Sequence, residues 1–170
     1  AVVNRVEIFE VGPRDGLQNE PRPIPAADKI RLVELLLATG LREIEVTSFV
    51  SPRWIPQLAD AAEVMAGIPR PEGARLSVLV PNMKGYEAAR ATRPGMVSVF
   101  TAASESFCQR NINCSIDESF ERFAPIMAAA RADGIPVRGY ISCVTDCPYE
   151  GAIAPAAVAR VAGQLMEAGV

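Results

Sequence analysis

The sequence contains no histidine, which removes imidazole, the commonest side-chain ligand of transition metals, from these 170 residues. Cysteine is scarce. Cys108, Cys114, Cys143 and Cys147 are too few and too widely spaced for a disulfide scaffold, and none forms the two-residue-gap pair of structural zinc sites. We read them as reduced thiols. No apolar run reaches membrane-spanning length, and the N-terminus lacks the charged-then-apolar pattern of a signal peptide. The expected location is therefore the cytoplasm, or the mitochondrial matrix where a transit peptide has been removed. A net charge of −3 and a pI near 5.1 give no basic surface, so neither nucleic acid nor a membrane is expected as a partner. No Gly-x-Gly-x-x-Gly fingerprint follows the first strand, which argues against a dinucleotide-binding doubly wound sheet. Linkers, low-complexity segments and a second domain are missing too.

What remains is ordinary for a globular domain with a sizeable core: 49% hydrophobic and 22% charged residues. Apolar alternation over Val6 to Val11 predicts a first strand, stopped at Gly12-Pro13. Pro25 suits the first position of a helix running to Gly40, with Ile30, Val33, Leu36 and Leu37 at helical spacing. Glu43 to Thr47 is the second strand: Ile44 and Val46 face one way, Glu43, Glu45 and Thr47 the other. A helix from Pro56 to Gly67 should bury Leu58, Ala62 and Met65. Arg75 to Val80 forms the third strand, Gly85 to Thr92 a short helix, and Met96 to Ala102 the fourth strand. Ser115-Ile116-Asp117-Glu118 is a capping box opening a helix that ends at Asp133-Gly134, and Val137 to Cys143 is the fifth strand. Pro155 starts the last helix, with Val158, Val161 and Leu165 inward.

Strands alternating with helices predict repeated βα units on a parallel sheet, with lengths compatible with a (β/α) barrel. Gly40-Leu41, Gly67-Ile68, Gly134-Ile135 and Gly169-Val170 each close a helix, and the first three lead into a strand. The expectation is a single barrel domain over 1–170 that breaks off before its sixth strand.

In such a barrel the chemistry gathers at the C-terminal ends of the strands. Arg14 and Asp15 stand just past the first strand. A guanidinium can hold a developing oxyanion, and a neighbouring carboxylate can bind a hard cation or move a proton. Glu45 has the parity of an interior residue, and an interior carboxylate is costly unless paired. It is either functional, or at the surface of an edge strand, or part of a structural ion pair with an arginine such as Arg14. Ser48, Asn82, Ser104 with Glu105, and Cys143 occupy comparable positions, although each alone reads as a turn or loop residue. Gln109 to Cys114 reads as a polar loop, and Arg138 can face the interior or the solvent.

The string Glu10-Val11-Gly12-Pro13-Arg14-Asp15-Gly16-Leu17-Gln18-Asn19-Glu20 resembles the opening motif of the hydroxymethylglutaryl-CoA lyases. These belong to a wider group of metal-dependent barrels sharing Arg-Asp-Gly-x-Gln. Glu45-Val46-Thr47-Ser48-Phe49-Val50-Ser51-Pro52 is similar to the lyases' second-strand motif. Pro81 to Gly85, Asn111 to Ser115, Val137 to Cys143 and Cys147 to Gly151 are similar to later segments, so the resemblance covers nearly the whole chain in register.

The resemblance implies an α/β fold, a (β/α)8 TIM barrel of which this chain carries about the first five units. It also implies cleavage of 3-hydroxy-3-methylglutaryl-CoA to acetyl-CoA and acetoacetate in leucine degradation. On it, Asp15 is a ligand of Mg²⁺ or Mn²⁺, Arg14 holds the thioester oxygen, and Glu45 orients Arg14 or a metal-bound water. Gln18 and Ser48 become substrate contacts. The partner is an acyl-CoA substrate, and a homodimer is compatible with the resemblance. The lyases complete their metal site with two histidines and an asparagine and use a cysteine on a glycine-rich loop, all beyond residue 170. These residues alone are therefore expected to be inactive. Two alternatives stay open: an acetyl-CoA-condensing synthase or aldolase of the same barrel group, and a non-catalytic acyl-CoA-binding module.

Overall fold

A computed structural model describes residues 5–170. Five strands form one parallel sheet in sequence order: β1 (Phe9–Glu10), β2 (Glu43–Ser48), β3 (Arg75–Leu79), β4 (Met96–Ala102) and β5 (Val137–Ser142). The helices between and after them are α1 (Ala26–Ala38), α2 (Ala61–Gly67), α3 (Met83–Arg90), α4 (Glu105–Ile112), α5 (Ile116–Asp133) and α6 (Pro155–Ala168). A short antiparallel hairpin, β6 (Asp146–Cys147) with β7 (Gly151–Ala152), sits between β5 and α6.

The sheet is strongly curled. Neighbouring strands lie about 4.8 Å apart, so a flat sheet would hold β1 and β5 roughly 19 Å from each other. Yet the guanidinium of Arg138 on β5 stacks 4.1 Å from the Phe9 ring on β1. The two outer strands therefore face each other across a concave interior, as in half of a barrel.

Strand alternation decides what lies on each side. Ile44 and Val46 join Val78, Val97 and Val99 in a core against the helices, where Val33, Phe123 and Ile126 meet them. Each such side chain, fully buried, contributes about 1.5–3 kcal/mol. Glu43, Glu45, Ser77 and Ser98 are just as buried and carry the opposite parity, so they line the concave side. The capping box forms as expected: Ser115 Oγ accepts from Glu118 N at 3.0 Å, and Glu118 Oε2 accepts from Ser115 N at 2.7 Å. Gly134, in the left-handed region at φ 68°, closes the same helix.

Several boundaries differ from the sequence reading. The first strand shrinks to two residues, because its ladder with β2 begins only at Phe9, and Val6 and Ile8 are exposed. Pro25 caps α1 instead of opening it. The helix expected over Pro56 to Gly67 is broken into a 3₁₀ turn (Pro56–Leu58) and α2; Leu58 and Met65 are buried as expected, but Ala61 and Val64 join them inside and Ala62 is exposed. Gln109 to Cys114 is not simply a loop. Ser104 caps α4 by accepting from Phe107 N at 3.1 Å, and Asn113, at φ 51°, ends it.

One buried cation belongs to the fold. Lys29 on α1, only 5% exposed, donates to Asp60 Oδ1 at 2.7 Å and Oδ2 at 2.9 Å, and to the carbonyl of Gln57. The Gln57 amide in turn donates to the carbonyl of Arg22 at 2.9 Å and to that of Glu20, pinning the segment that follows Asp15. Lys29→Met should destabilise the chain by about 3 kcal/mol in urea titration, because it leaves Asp60 without its counter-ion in a largely buried setting. An unchanged midpoint would contradict this account.

Candidate active site

The turn after β1 is built to present two side chains. The Val11 carbonyl accepts from both Arg14 N (3.1 Å) and Asp15 N (2.8 Å), and Leu17 N donates to the Gly12 carbonyl across a single wide π-helical turn over Gly12–Gly16. Glu10 Oε1 braces it by accepting from Gly12 N at 2.6 Å, and Pro13 is buried beneath.

From this turn Arg14 reaches inward and Asp15 outward. Arg14 Nε donates to Glu45 Oε1 at 2.6 Å, and Arg14 Nη1 donates to Asp15 Oδ1 at 3.0 Å. The Arg14 side chain is 14% exposed, Glu45 is fully buried, and the Asp15 side chain is 57% exposed. Glu45's second oxygen, Oε2, accepts from the Tyr140 hydroxyl at 2.9 Å. Both carboxylate oxygens are thus committed, and a chain of contacts runs Tyr140–Glu45–Arg14–Asp15 from β5 to the turn after β1. Glu45 sits on β2, between β1 and β3, so it is interior and not on an edge strand.

Of the residues named from sequence, Arg14, Asp15 and Glu45 come together. Ser48 ends β2 nearby in chain position, 1% exposed, with an Oγ that has no hydrogen-bond partner among the described residues. Gln18 is half-buried beyond Asp15, outside the hydrogen-bonded set. Asn82 and Ser104 are helix caps, and Cys143 takes a left-handed conformation at φ 59°. Arg138 points inward, over Phe9 and 5.5 Å from the Tyr140 ring. Tyr140 is the member that sequence reasoning missed. Its signal was its parity, shared with Arg138 and opposite to Val137.

Among the described residues no three His, Cys, Asp or Glu side chains converge to hold a metal ion. A hard divalent cation takes six or more oxygen ligands, and Asp15 offers a single carboxylate that already pairs with Arg14. These residues by themselves therefore do not make a metal site. Open grooves lie near α4 and α5, one lined by Asn113, Glu118, Glu121 and Arg122, the other by Glu105, Ser106, Gln109 and Arg110.

The family of HMGL-like proteins matches residues 5–170. The chain belongs to that family. It is 57% identical over 169 residues to the mitochondrial hydroxymethylglutaryl-CoA lyase of Gallus gallus, covering 99% of this chain and 57% of that relative. The crystal structure of hydroxymethylglutaryl-CoA lyase from Pseudomonas aeruginosa superposes with a TM-score of 0.95 at 57% identity, over 97% of this chain and 55% of that one. An HMG-CoA lyase from Acinetobacter baumannii, solved in complex with coenzyme A and 3-methylmalate, gives a TM-score of 0.94 at 32% identity, over 100% of this chain and 55% of its own. This HMGL-like chain thus spans about half the length of the relatives it matches, and its curled sheet corresponds to part of their TIM barrel. HMG-CoA lyases depend on a divalent metal. Their names place some in mitochondria and one, from Danio rerio, in the cytoplasm. No helix of the described residues is long and apolar enough to cross a membrane.

The phenol that anchors Glu45 is held neutral. Burial first, and then the adjacent Glu45 carboxylate, push Tyr140 up to about 12. Burial and the Asp133 carboxylate, 2.7 Å from its hydroxyl, do the same for Tyr86. An unfolded tyrosine ionises near about 10. The unfolded chain therefore loses its phenolic protons first, so the stability these groups supply is complete below pH 10 and drains away as pH rises through about 12. Phenolate absorbance of the folded chain should show two tyrosines titrating near 12; both ionising near 10 would contradict this environment.

Proposed function

We propose that the protein is a carbon–carbon lyase cleaving 3-hydroxy-3-methylglutaryl-CoA to acetyl-CoA and acetoacetate, and that this chain supplies the half of the barrel carrying the oxyanion-holding arginine. The observation that carries the reading is the clamp on Arg14. Glu45, itself fixed by Tyr140, takes Nε, and Asp15 takes Nη1. Among the described residues that leaves both hydrogens of Nη2, and the second of Nη1, free to face a substrate. A guanidinium held rigidly before reaction donates to the thioester oxygen as that oxygen gains enolate charge, at little cost in reorganisation.

Asp15, the exposed member, offers one oxygen ligand to a Mg²⁺ or Mn²⁺ whose other ligands lie outside the described residues. The Ser48 hydroxyl, buried and without a hydrogen-bond partner among the described residues, is the proposed contact to a substrate oxygen. Gln18 is the weaker contact. A homodimer, and residence in the cytoplasm or the mitochondrial matrix, belong to the same proposal.

Relatives 55–58% identical to the chain are named lyases of this substrate, and nothing in the site favours a condensing synthase or a non-catalytic module over that reading. The test is a chimera joining residues 5–170 to the remainder of the Pseudomonas aeruginosa enzyme. We expect acetoacetate and acetyl-CoA from 3-hydroxy-3-methylglutaryl-CoA with added Mg²⁺ or Mn²⁺, and no turnover by the 170-residue chain alone. A well-folded chimera that condenses acetyl-CoA with an oxo acid, or binds acyl-CoA without cleaving it, would overturn the reading.

A further inference from the structure

The turn that presents Arg14 and Asp15 is closed from the Val11 carbonyl, but the stretch behind it has less to hold it. Residues 19–25 join neither strand nor helix, and residues 19–23 are exposed. With little apolar surface buried there, order must come from hydrogen bonds. Some are local: Asn19 Nδ2 donates to the Asp15 carbonyl at 2.8 Å, and Glu20 N to the Leu17 carbonyl at 3.1 Å. These fold the stretch on itself without fastening it to the barrel. Among the described residues, the hydrogen bonds that fasten residues 20–22 to another element come from one side chain. Gln57 Nε2 donates to the Glu20 carbonyl and, at 2.9 Å, to that of Arg22. A primary amide nitrogen carries two hydrogens, one for each acceptor.

Gln57 is itself firmly placed. It is half-buried in the 3₁₀ turn Pro56–Leu58, where Leu58 is buried and the Gln57 carbonyl accepts from Lys29 Nζ. The loop that leads to it from β2 is tied down at its start. Phe49 N donates to the Leu79 carbonyl at 2.9 Å. Gly85 of α3 lies so close to the Phe49 carbonyl oxygen that a Cβ there would come within 2.6 Å of it. A rigid loop thus lends its order, through one amide, to a neighbour with little of its own.

We propose that Gln57 is a positioning residue for substrate binding: its amide pre-orders residues 16–22, Gln18 among them. This role rests on the lyase reading above, in which Gln18 touches the acyl-CoA. Arg14 is aimed separately, by Glu45 and, through it, Tyr140. Without the Gln57 donors the guanidinium therefore stays in place, while residues 16–22 spread over many conformations. Substrate binds only the ordered fraction, and apparent affinity falls in proportion to that fraction. The complex, once formed, is the same complex and reacts at the same rate. The loss therefore falls on KM and spares kcat.

Gln57→Met keeps the side chain's length and removes both donors, whereas Gln57→Glu keeps its shape and sets a carboxylate against the two carbonyls. In the chimera described above, KM for 3-hydroxy-3-methylglutaryl-CoA should rise about 10-fold with methionine and more with glutamate, kcat staying within about 3-fold of the parent. Hydrogen exchange in the methionine variant should quicken about 10-fold at the Glu20 amide and stay parental through β2 to β5, with an unchanged urea midpoint. Loss of stability alone would move the midpoint and the whole sheet but not KM. Parental KM in a folded methionine variant would overturn the proposal. So would a lower kcat at constant KM, or exchange that quickens by the same factor throughout the sheet. A parent chimera that cleaves nothing would fell the lyase reading and this role with it. Parental exchange at Glu20 in an active methionine variant would remove the Gln57 anchor alone.

Discussion

Arg14→Met in the chimeric lyase should lower kcat by about 10²–10³-fold, the loss seen when one preorganised oxyanion donor is removed. The effect belongs in kcat because the guanidinium meets its strongest demand when charge collects on the thioester oxygen, not when the neutral carbonyl binds. KM should change far less. Arg14→Lys should rescue little. An ammonium on a flexible stem cannot donate at once to Glu45, to Asp15 and to a third acceptor from one rigid plane. The check is steady-state kinetics of the three proteins on 3-hydroxy-3-methylglutaryl-CoA. A methionine variant within a few-fold of the parent would remove Arg14 from the reaction.

Glu45→Ala is expected to damage both stability and turnover. The fully buried carboxylate satisfies two donors, Arg14 Nε and the Tyr140 hydroxyl. Deleting it strands a largely buried positive charge, and breaking such a pair costs about 3–5 kcal/mol. Urea titration of the chain reads that loss directly. In the chimera, kcat should fall by about 10²-fold, because the guanidinium is no longer aimed. Glu45→Gln keeps an acceptor for one donor but drops the charge, so it should lie between parent and alanine in both assays. An alanine variant as stable as the parent would mean that Arg14 is held by something other than Glu45.

The fold could be read from local rules wherever those rules act alone. The capping box at Ser115 and the closing glycine at Gly134 concern a residue and its chain neighbours, and both appear as expected; the alternation read over Glu43 to Thr47 holds from Glu43 through Glu45, after which the ladder with β3 slips its register before Thr47. The failures have longer-range causes. Val6 and Ile8 alternate correctly, but a strand needs a ladder, and their ladder begins only at Phe9. Leu58 and Met65 are buried as expected, but Ala61 takes the inward place expected of Ala62, because a 3₁₀ turn precedes α2 and advances the chain by a different angle. The helix α4 was hidden by its polar composition; its cap, Ser104, and its left-handed end, Asn113, were both present to be noticed.

The site divides in the same way. Arg14 and Asp15 are adjacent in sequence, and Glu45 declared itself by an acidic parity on an otherwise buried strand. Tyr140 lies ninety-five residues from Glu45, and only the curl of the sheet brings its hydroxyl within reach. A phenol gives no charge signal in a sequence, so its partner could not be guessed. The outward turn of Asp15 was equally invisible, since it depends on the wide turn over Gly12–Gly16.

On β2, the side chains that hold the sheet to its helices and those that line the concave face are different residues of one alternating string. Selection can therefore rewrite one set while leaving the other untouched. A lineage built this way can try new chemistries without risking its architecture, so its descendants are free to diverge in what they transform before they diverge in shape.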